Sequence, residues 1–213
     1  MTLPLSLPLS LLLVCSANEC RSPAAQTLLS ARLTELGVTG VRTFTCGHEA
    51  AAERPACPDT RAWARSRGFD TDLLDQHRSR RLDLDLIGSA DLVLGLDRRA
   101  RAAVVRLAPA ANERTFTLRE AAALVQRRAR QMSREGGRRS TLIADLHATR
   151  GLTDLPETEV FHPPSHGWRA VRIHEHDVPD AHVERGVTHR LSRRLLVPAV
   201  DAVARGLYDL EPE

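Results

Sequence analysis

The chain has 213 residues, 42% hydrophobic and 27% charged, with a formal net charge of +3. This length fits one ordinary domain, or a compact domain carrying an insertion, and the apolar share excludes a disordered or low-complexity polymer. All thirty basic residues are arginine, a bias that base composition explains, so nucleic acid is not an expected partner.

In chain order, residues 1–14 are apolar and end in Leu-Leu-Leu-Val before Cys15. No basic residue precedes Arg21, Pro4 and Pro8 break the run, and valine rather than a small residue stands before Cys15. The run is also shorter than the ~18–20 apolar residues that span a bilayer, so neither export nor a membrane role is expected. Residues 11–14 read instead as a short buried strand. Cys15, Cys20, Cys46 and Cys57 are too sparse for a disulfide scaffold and contain no CxxC. A cytoplasmic location is expected.

Ser22-Pro23, leucines at 28, 29, 33 and 36, and then Gly37 have the signature of a capped helix with serine at the N-cap. A strand is expected over 41–45, and a short helix from Asp59/Thr60 to Gly68. Residues 90–96 form the clearest buried strand, followed by a helix over 98–107. This alternation predicts an α/β fold: a single domain with a central parallel sheet of about four strands, flanked by helices on both faces. A long amphipathic helix at 118–133, a polar turn at Gly136-Gly137-Arg138-Arg139, a helical stretch from Thr141 and a loop around Pro163-Pro164 follow. Residues 112–168 are therefore expected as a helical insertion in a core of about 9–111 and 170–208. A helix over 185–207 closes the chain, with Pro198 kinking or splitting it.

The segment from Cys15 to Ser22 lies between the first strand and the first helix. In so arginine-rich a chain, Cys-x5-Arg alone carries little weight. Asn18 is one of only two asparagines, however, and the helix begins where the motif ends. A tight loop entering a helix N-terminus directs backbone N–H groups and the helix dipole at one anion. Arg21 can clamp two phosphate oxygens, and the same positive field favours the Cys15 thiolate. Ser22 can donate to the sulfur, and Asn18 can brace the turn. Such a site fits covalent phosphoryl transfer through a cysteinyl-phosphate.

Cys15-Ser16-Ala17-Asn18-Glu19-Cys20-Arg21-Ser22 resembles the phosphate loop of the low-molecular-weight protein tyrosine phosphatases. Gly68-Phe69-Asp70, His77 to Leu82, Asp91 to Asp97 and Asp177-Val178-Pro179-Asp180 resemble further segments of that family. The resemblance implies Cys15 as nucleophile, Arg21 as phosphate clamp and Asp180 as general acid and base, with Asp177 as its rival. It implies phosphate binding by Ser16, Ala17, Asn18, Glu19, Cys20, Arg21 and Ser22, and support from Asn18, Ser22 and His77 behind the loop. Substrates would be a phosphorylated protein or a small phosphate monoester, with no cofactor.

Three departures bear on specificity. No aromatic residue follows Asp180, so His48 or His182 would have to replace the aromatic wall. Glu19 stands where an apolar residue is usual, and Ala17 replaces a glycine, which requires a negative φ. Cys20 is also a possible redox partner of Cys15. Two other readings of the loop are a phosphate-binding protein with weakened catalysis, and an arsenate reductase. The latter needs relay cysteines, and none follows Cys57. His174-x-His176 with His182 and His189 offers imidazoles, but Glu175 and nearby arginines read as solvated surface, so no metal is expected.

Overall fold

The structure is a computed structural model and describes residues 4–135, 142–153, 155, 158–161 and 170–208. Four parallel strands form the central sheet: β1 (Pro4–Cys15), β2 (Thr39–Gly47), β3 (Leu92–Gly95) and β4 (Thr115–Thr117). Their order is β2-β1-β3-β4. Leu11 to Val14 are at most 1% exposed, as an uninterrupted apolar strand requires when both sheet faces are covered. The two-residue strand period sorts these side chains between two cores. Leu11, Leu13, Leu94 and Phe116 pack with one set of helices, while Leu12, Val14 and Val93 pack on the other face.

α1 (Arg21–Leu36) begins two residues earlier than the serine cap predicts: its N-cap is Cys20, without a side-chain capping bond. Ser22 lies inside the first turn because its hydroxyl serves the loop, meeting Cys15 Sγ and Asn18 Nδ2. Gly37 closes the helix as expected, at φ 73°. α2 (Pro58–Ser66), α3 (Asp72–Asp75) and α4 (Leu84–Gly88) lead to β3. α5 (Arg98–Leu107) starts where Asp97 accepts a hydrogen bond from Ala100 N.

The expected helical insertion needs correction at its start. Thr115, Phe116 and Thr117 are fully buried and form β4, paired with β3. Three residues are too few to display a strand alternation, and the helix formers that follow hide them. α6 (Leu118–Glu135) buries Leu118, Ala121, Leu124 and Val125 in the main core, so this helix is also part of the domain body. α7 (Leu142–Ala148) follows, and β5 (Thr158–Phe161) pairs antiparallel with β6 (Val171–His174) in a ribbon that the sequence reading had not anticipated. The turn at 136–139 and the loop at 163–167 lie outside the described residues. α8 (His189–Tyr208) is a single helix with Pro198 inside it.

In this strand order, β2 and β3 lie on opposite sides of β1, so the chain changes direction across the sheet between β1 and β3. Doubly wound sheets place their ligand crevice beyond the carboxyl ends of the strands at such a switch point. Cys15 ends β1 there, and Asp97 follows β3 there. Among the described residues no helix is long and apolar enough to cross a membrane.

Candidate active site

The loop after β1 wraps around the Cys15 sulfur, and Cys15 is only 2% exposed. Cys15 Sγ lies 3.1 Å from Ser22 Oγ and accepts a hydrogen bond from Asn18 N at 3.2 Å. With the N-terminus of α1 beside it, this arrangement stabilises negative charge on sulfur, or on a phosphate bonded to it. Asn18 has φ 58°, in the left-handed region that asparagine tolerates better than most residues. Its side chain is fully buried. Asn18 Nδ2 donates to Ser22 Oγ at 3.0 Å, and Oδ1 accepts from Arg80 N at 3.0 Å. Ala17 is not in the left-handed region, so the alanine is tolerated.

The loop is also held from outside. His77 Nε2 meets Asn18 O at 2.6 Å, and because a carbonyl only accepts, Nε2 carries the proton. Burial pushes the His77 pKa down, opposed by this hydrogen bond and reinforced by Arg80 and Arg78. His48 N donates to Cys15 O and Glu49 N to Ser16 O, each at 3.0 Å, while Cys57 N donates to Glu19 O at 2.7 Å. The loop is thus gripped by β2, by the 77–80 segment and by the start of α2.

Arg21 is 3% exposed and divides its guanidinium among four acceptors. Nη1 reaches Asp97 Oδ2 at 2.6 Å and Val178 O at 2.9 Å; Nη2 reaches Asp180 Oδ2 at 2.6 Å and Ser16 Oγ at 3.1 Å. Burial opposes its charge, but Cys15, Asp97 and Asp180 more than offset burial and raise its pKa. The two candidate acids separate cleanly. Asp180 joins the loop through Arg21, whereas Asp177 binds the backbone and guanidinium of Arg98. Asp180 Oδ1 also accepts from His182 N at 2.9 Å, and Asp180 N donates to Glu184 Oε1 at 2.8 Å.

Asp97 was not among the sequence candidates, although it anchors Arg21 while capping α5. Its signal was available, since an aspartate between a buried strand and a helix is a cap facing the carboxyl end of the sheet. A cleft of about 630 Å³ opens above the loop, with Ser16, Arg21, His48, Asp97 and Asp180 in its walls. Among the described residues, no phenylalanine, tyrosine or tryptophan lines it. Of the two histidines considered for the missing wall, His48 lines the cleft; His182 turns away, its Nε2 lying 3.1 Å from His189 Nε2.

The remaining loop residues contribute differently. Glu19 is half-buried and outside the cleft lining. Cys20 Sγ lies 3.3 Å from Thr60 Oγ1 and shares a hydrogen bond with Cys57. That bond is the main cause that lowers the Cys57 pKa and raises that of Cys20. All four cysteines are free thiols.

Comparison with known proteins agrees with this geometry. Residues 10–135 match the model of the low molecular weight phosphotyrosine protein phosphatases. A probable low molecular weight protein-tyrosine-phosphatase, EpsP from Ralstonia nicotianae, is 32% identical over 111 residues, covering 52% of this chain and 71% of that protein. A protein-arginine-phosphatase from Geobacillus stearothermophilus is 30% identical over 114 residues, covering 54% and 72%. In fold, the chain is similar to the low molecular weight protein tyrosine phosphatase from T. tengcongensis, with a TM-score of 0.59, 19% identity and coverage of 92% and 98%. The chain belongs to the low molecular weight phosphotyrosine protein phosphatase family. It is a hydrolase of phosphate esters or phosphoproteins.

Proposed function

We propose that Cys15 is the nucleophile, Arg21 the phosphate clamp and Asp180 the proton donor of a phosphoprotein phosphatase. The observation that carries this reading is the convergence of Asp180 and Ser16 on Arg21, one loop turn from the Cys15 sulfur. The Cys15 thiolate attacks phosphorus as the P–O ester bond breaks, and Asp180 protonates the departing oxygen. That proton matters because a phenolate, with a parent pKa of ~10, is a poor leaving group. Water then attacks the S–P bond while Asp180 takes its proton, releasing phosphate and restoring the thiolate. An incoming phosphate dianion competes for the guanidinium, which frees Asp180 for this work. Asn18, Ser22 and His77 hold the loop in shape, and the backbone N–H groups from Ser16 to Ser22 receive the phosphate oxygens.

The substrate expected from the family is phosphotyrosine. A second reading, phosphoarginine, is favoured by Glu49 and Glu184 on the cleft walls, which suit a guanidinium. The relative kcat/KM on phosphotyrosine and phosphoarginine peptides decides between the two. Four free thiols, one of them the nucleophile, support work in the reducing cytoplasm. An arsenate relay finds no cysteine beyond Cys57.

Cys15→Ser is expected to lower kcat on p-nitrophenyl phosphate by more than ~10³-fold. Asp180→Ala should cost about 10²–10⁴-fold on phenyl phosphate, less on the better-leaving p-nitrophenyl ester, while Asp177→Ala costs far less. Full activity in Cys15→Ser would overturn the nucleophile assignment. Phosphate or vanadate binding without turnover by the unmodified protein would leave a binding protein on the same fold.

A further inference from the structure

Beside the phosphate loop, four metal-ligating side chains meet that have no chemical role in the proposed reaction. Cys20 comes from the end of the loop, Cys57 from the start of α2, His182 from the segment after Asp180, and His189 from the first turn of α8. Their sulfur and ring-nitrogen atoms all lie within 4.8 Å of one another. Cys57 Sγ is 3.6 Å from His189 Nε2, and His182 Nε2 is 3.1 Å from His189 Nε2.

The sulfur–nitrogen separation matches an edge of a metal tetrahedron, and the nitrogen–nitrogen separation is slightly shorter than one. Zinc bonds of ~2.3 Å to sulfur and ~2.0–2.1 Å to nitrogen give tetrahedral edges of about 3.5–3.6 Å between S and N, and about 3.3–3.4 Å between two nitrogens. Hydrogen bonding alone serves the cluster poorly. His189 Nε2 faces both His182 Nε2 and Cys57 Sγ, yet it has either one proton or one lone pair to offer. On its other side, His189 Nδ1 lies 3.9 Å from Asp59 Oδ2. A carboxylate behind an imidazole fixes the tautomer that turns the Nε2 lone pair toward a metal.

We propose that Cys20, Cys57, His182 and His189 bind one Zn²⁺ ion. Two thiolates and two neutral imidazoles give a centre of zero net charge, and each thiol that binds releases its proton. The mixed sulfur and nitrogen donors select zinc over the hard cations magnesium and calcium. Four protein ligands leave no open position, so the ion has a structural role. It ties the phosphate loop to the Asp180 loop and to α8, and entry is open because His182 is exposed and Cys57 alone is buried.

The test uses the full-length protein, reduced and stripped of metal, then titrated with Co²⁺ and with Zn²⁺ against a chromogenic chelator. The expected result is one ion per chain, with the visible bands of tetrahedral Co²⁺ and a near-ultraviolet thiolate-to-cobalt charge-transfer band that Zn²⁺ displaces. His182→Ala removes an exposed ligand without opening the core and should weaken Zn²⁺ binding by more than ~100-fold, beyond the loss of an outer-shell partner. Cys57→Ser should reduce the charge-transfer band. Cys15→Ser and the pair His174→Ala with His176→Ala should bind as the parent does. No thiolate band, unchanged affinity in His182→Ala, or binding lost with Cys15 or with His174 and His176 would each overturn the proposal.

Discussion

At the scale of single residues, the site depends on what Asn18 and His77 do to the backbone. Asn18 accepts a left-handed φ and spends its amide on Ser22 and Arg80, while His77 closes the turn at Asn18 O. His77 has a predictable pH signature. Burial, aided by the Arg80 and Arg78 charges, lowers its folded pKa below the ordinary 6.5; the Asn18 bond and Glu19 act in the opposite direction. The unfolded chain therefore binds the additional proton as pH falls. The stabilisation from neutral His77 is complete above pH 6.5 and is lost as pH falls through its folded pKa. His77→Gln keeps an N–H donor for Asn18 O but cannot titrate. Urea unfolding from pH 7.5 down to 5 should show a shallower loss of stability in the variant than in the parent, and parallel curves would refute the assignment. Cys15 and Asn18 were readable because rare residue types stood at fixed spacing, and Arg21 because it closes that spacing where the helix begins. Ser22 was read both as a cap and as a donor to the sulfur, because local pattern cannot tell whether a hydroxyl will serve a helix end or a nearby sulfur.

At the scale of elements, β2 fixes the position of the phosphate loop through Gly47. A Cβ at Gly47 would lie 2.3 Å from Ser16 O, 2.8 Å from Asn18 N and 2.9 Å from Ala17 C, all atoms of the loop backbone. Gly206 is equally crowded, but its nearest contact is Val125 Cγ1 at 2.3 Å, where α8 crosses α6. The two glycines thus predict different failures. Gly47→Ala should displace the loop and lower kcat/KM by about 10²-fold, the penalty for a misplacement of ~1 Å in a reacting geometry. Gly206→Ala should cost about 1–3 kcal/mol of stability through overpacking and leave kcat/KM near that of the parent. Thermal melts alongside steady-state kinetics on both variants separate the effects; equal kinetic losses would refute the role of Gly47. β1 and β3 were legible as unbroken apolar runs, and α1 and α5 as helices that follow them directly. β4 was hidden by its three-residue length, and the β5–β6 ribbon by pairing between segments that no local pattern connects.

At the scale of the whole molecule, the site depends on a core that closes only when the end of the chain folds back. α8 lays Leu196, Val200, Val203 and Leu207 into the main core beside α1 and α6, and these residues are at most 3% exposed. Burial of each such side chain contributes about 1.5–3 kcal/mol. Four of them are comparable to the entire net stability of an ordinary domain, about 5–15 kcal/mol. The same helix anchors Arg32 of α1 through Asp201 at 2.7 Å, and its first turn follows directly on the segment carrying Asp180. A chain ending after residue 188 retains the complete phosphate loop, Asp97 and Asp180, so catalytic residues alone predict continued activity. The burial argument predicts the opposite: no cooperative thermal transition, exposed apolar surface that binds a hydrophobic dye, and no phosphatase turnover. A cooperative melt and retained turnover in that shortened chain would refute the dependence of the site on α8. If the chain folds but turnover is lost, α8 acts by holding α1, which carries the phosphate loop, and the segment of Asp180, the proposed acid, in their places.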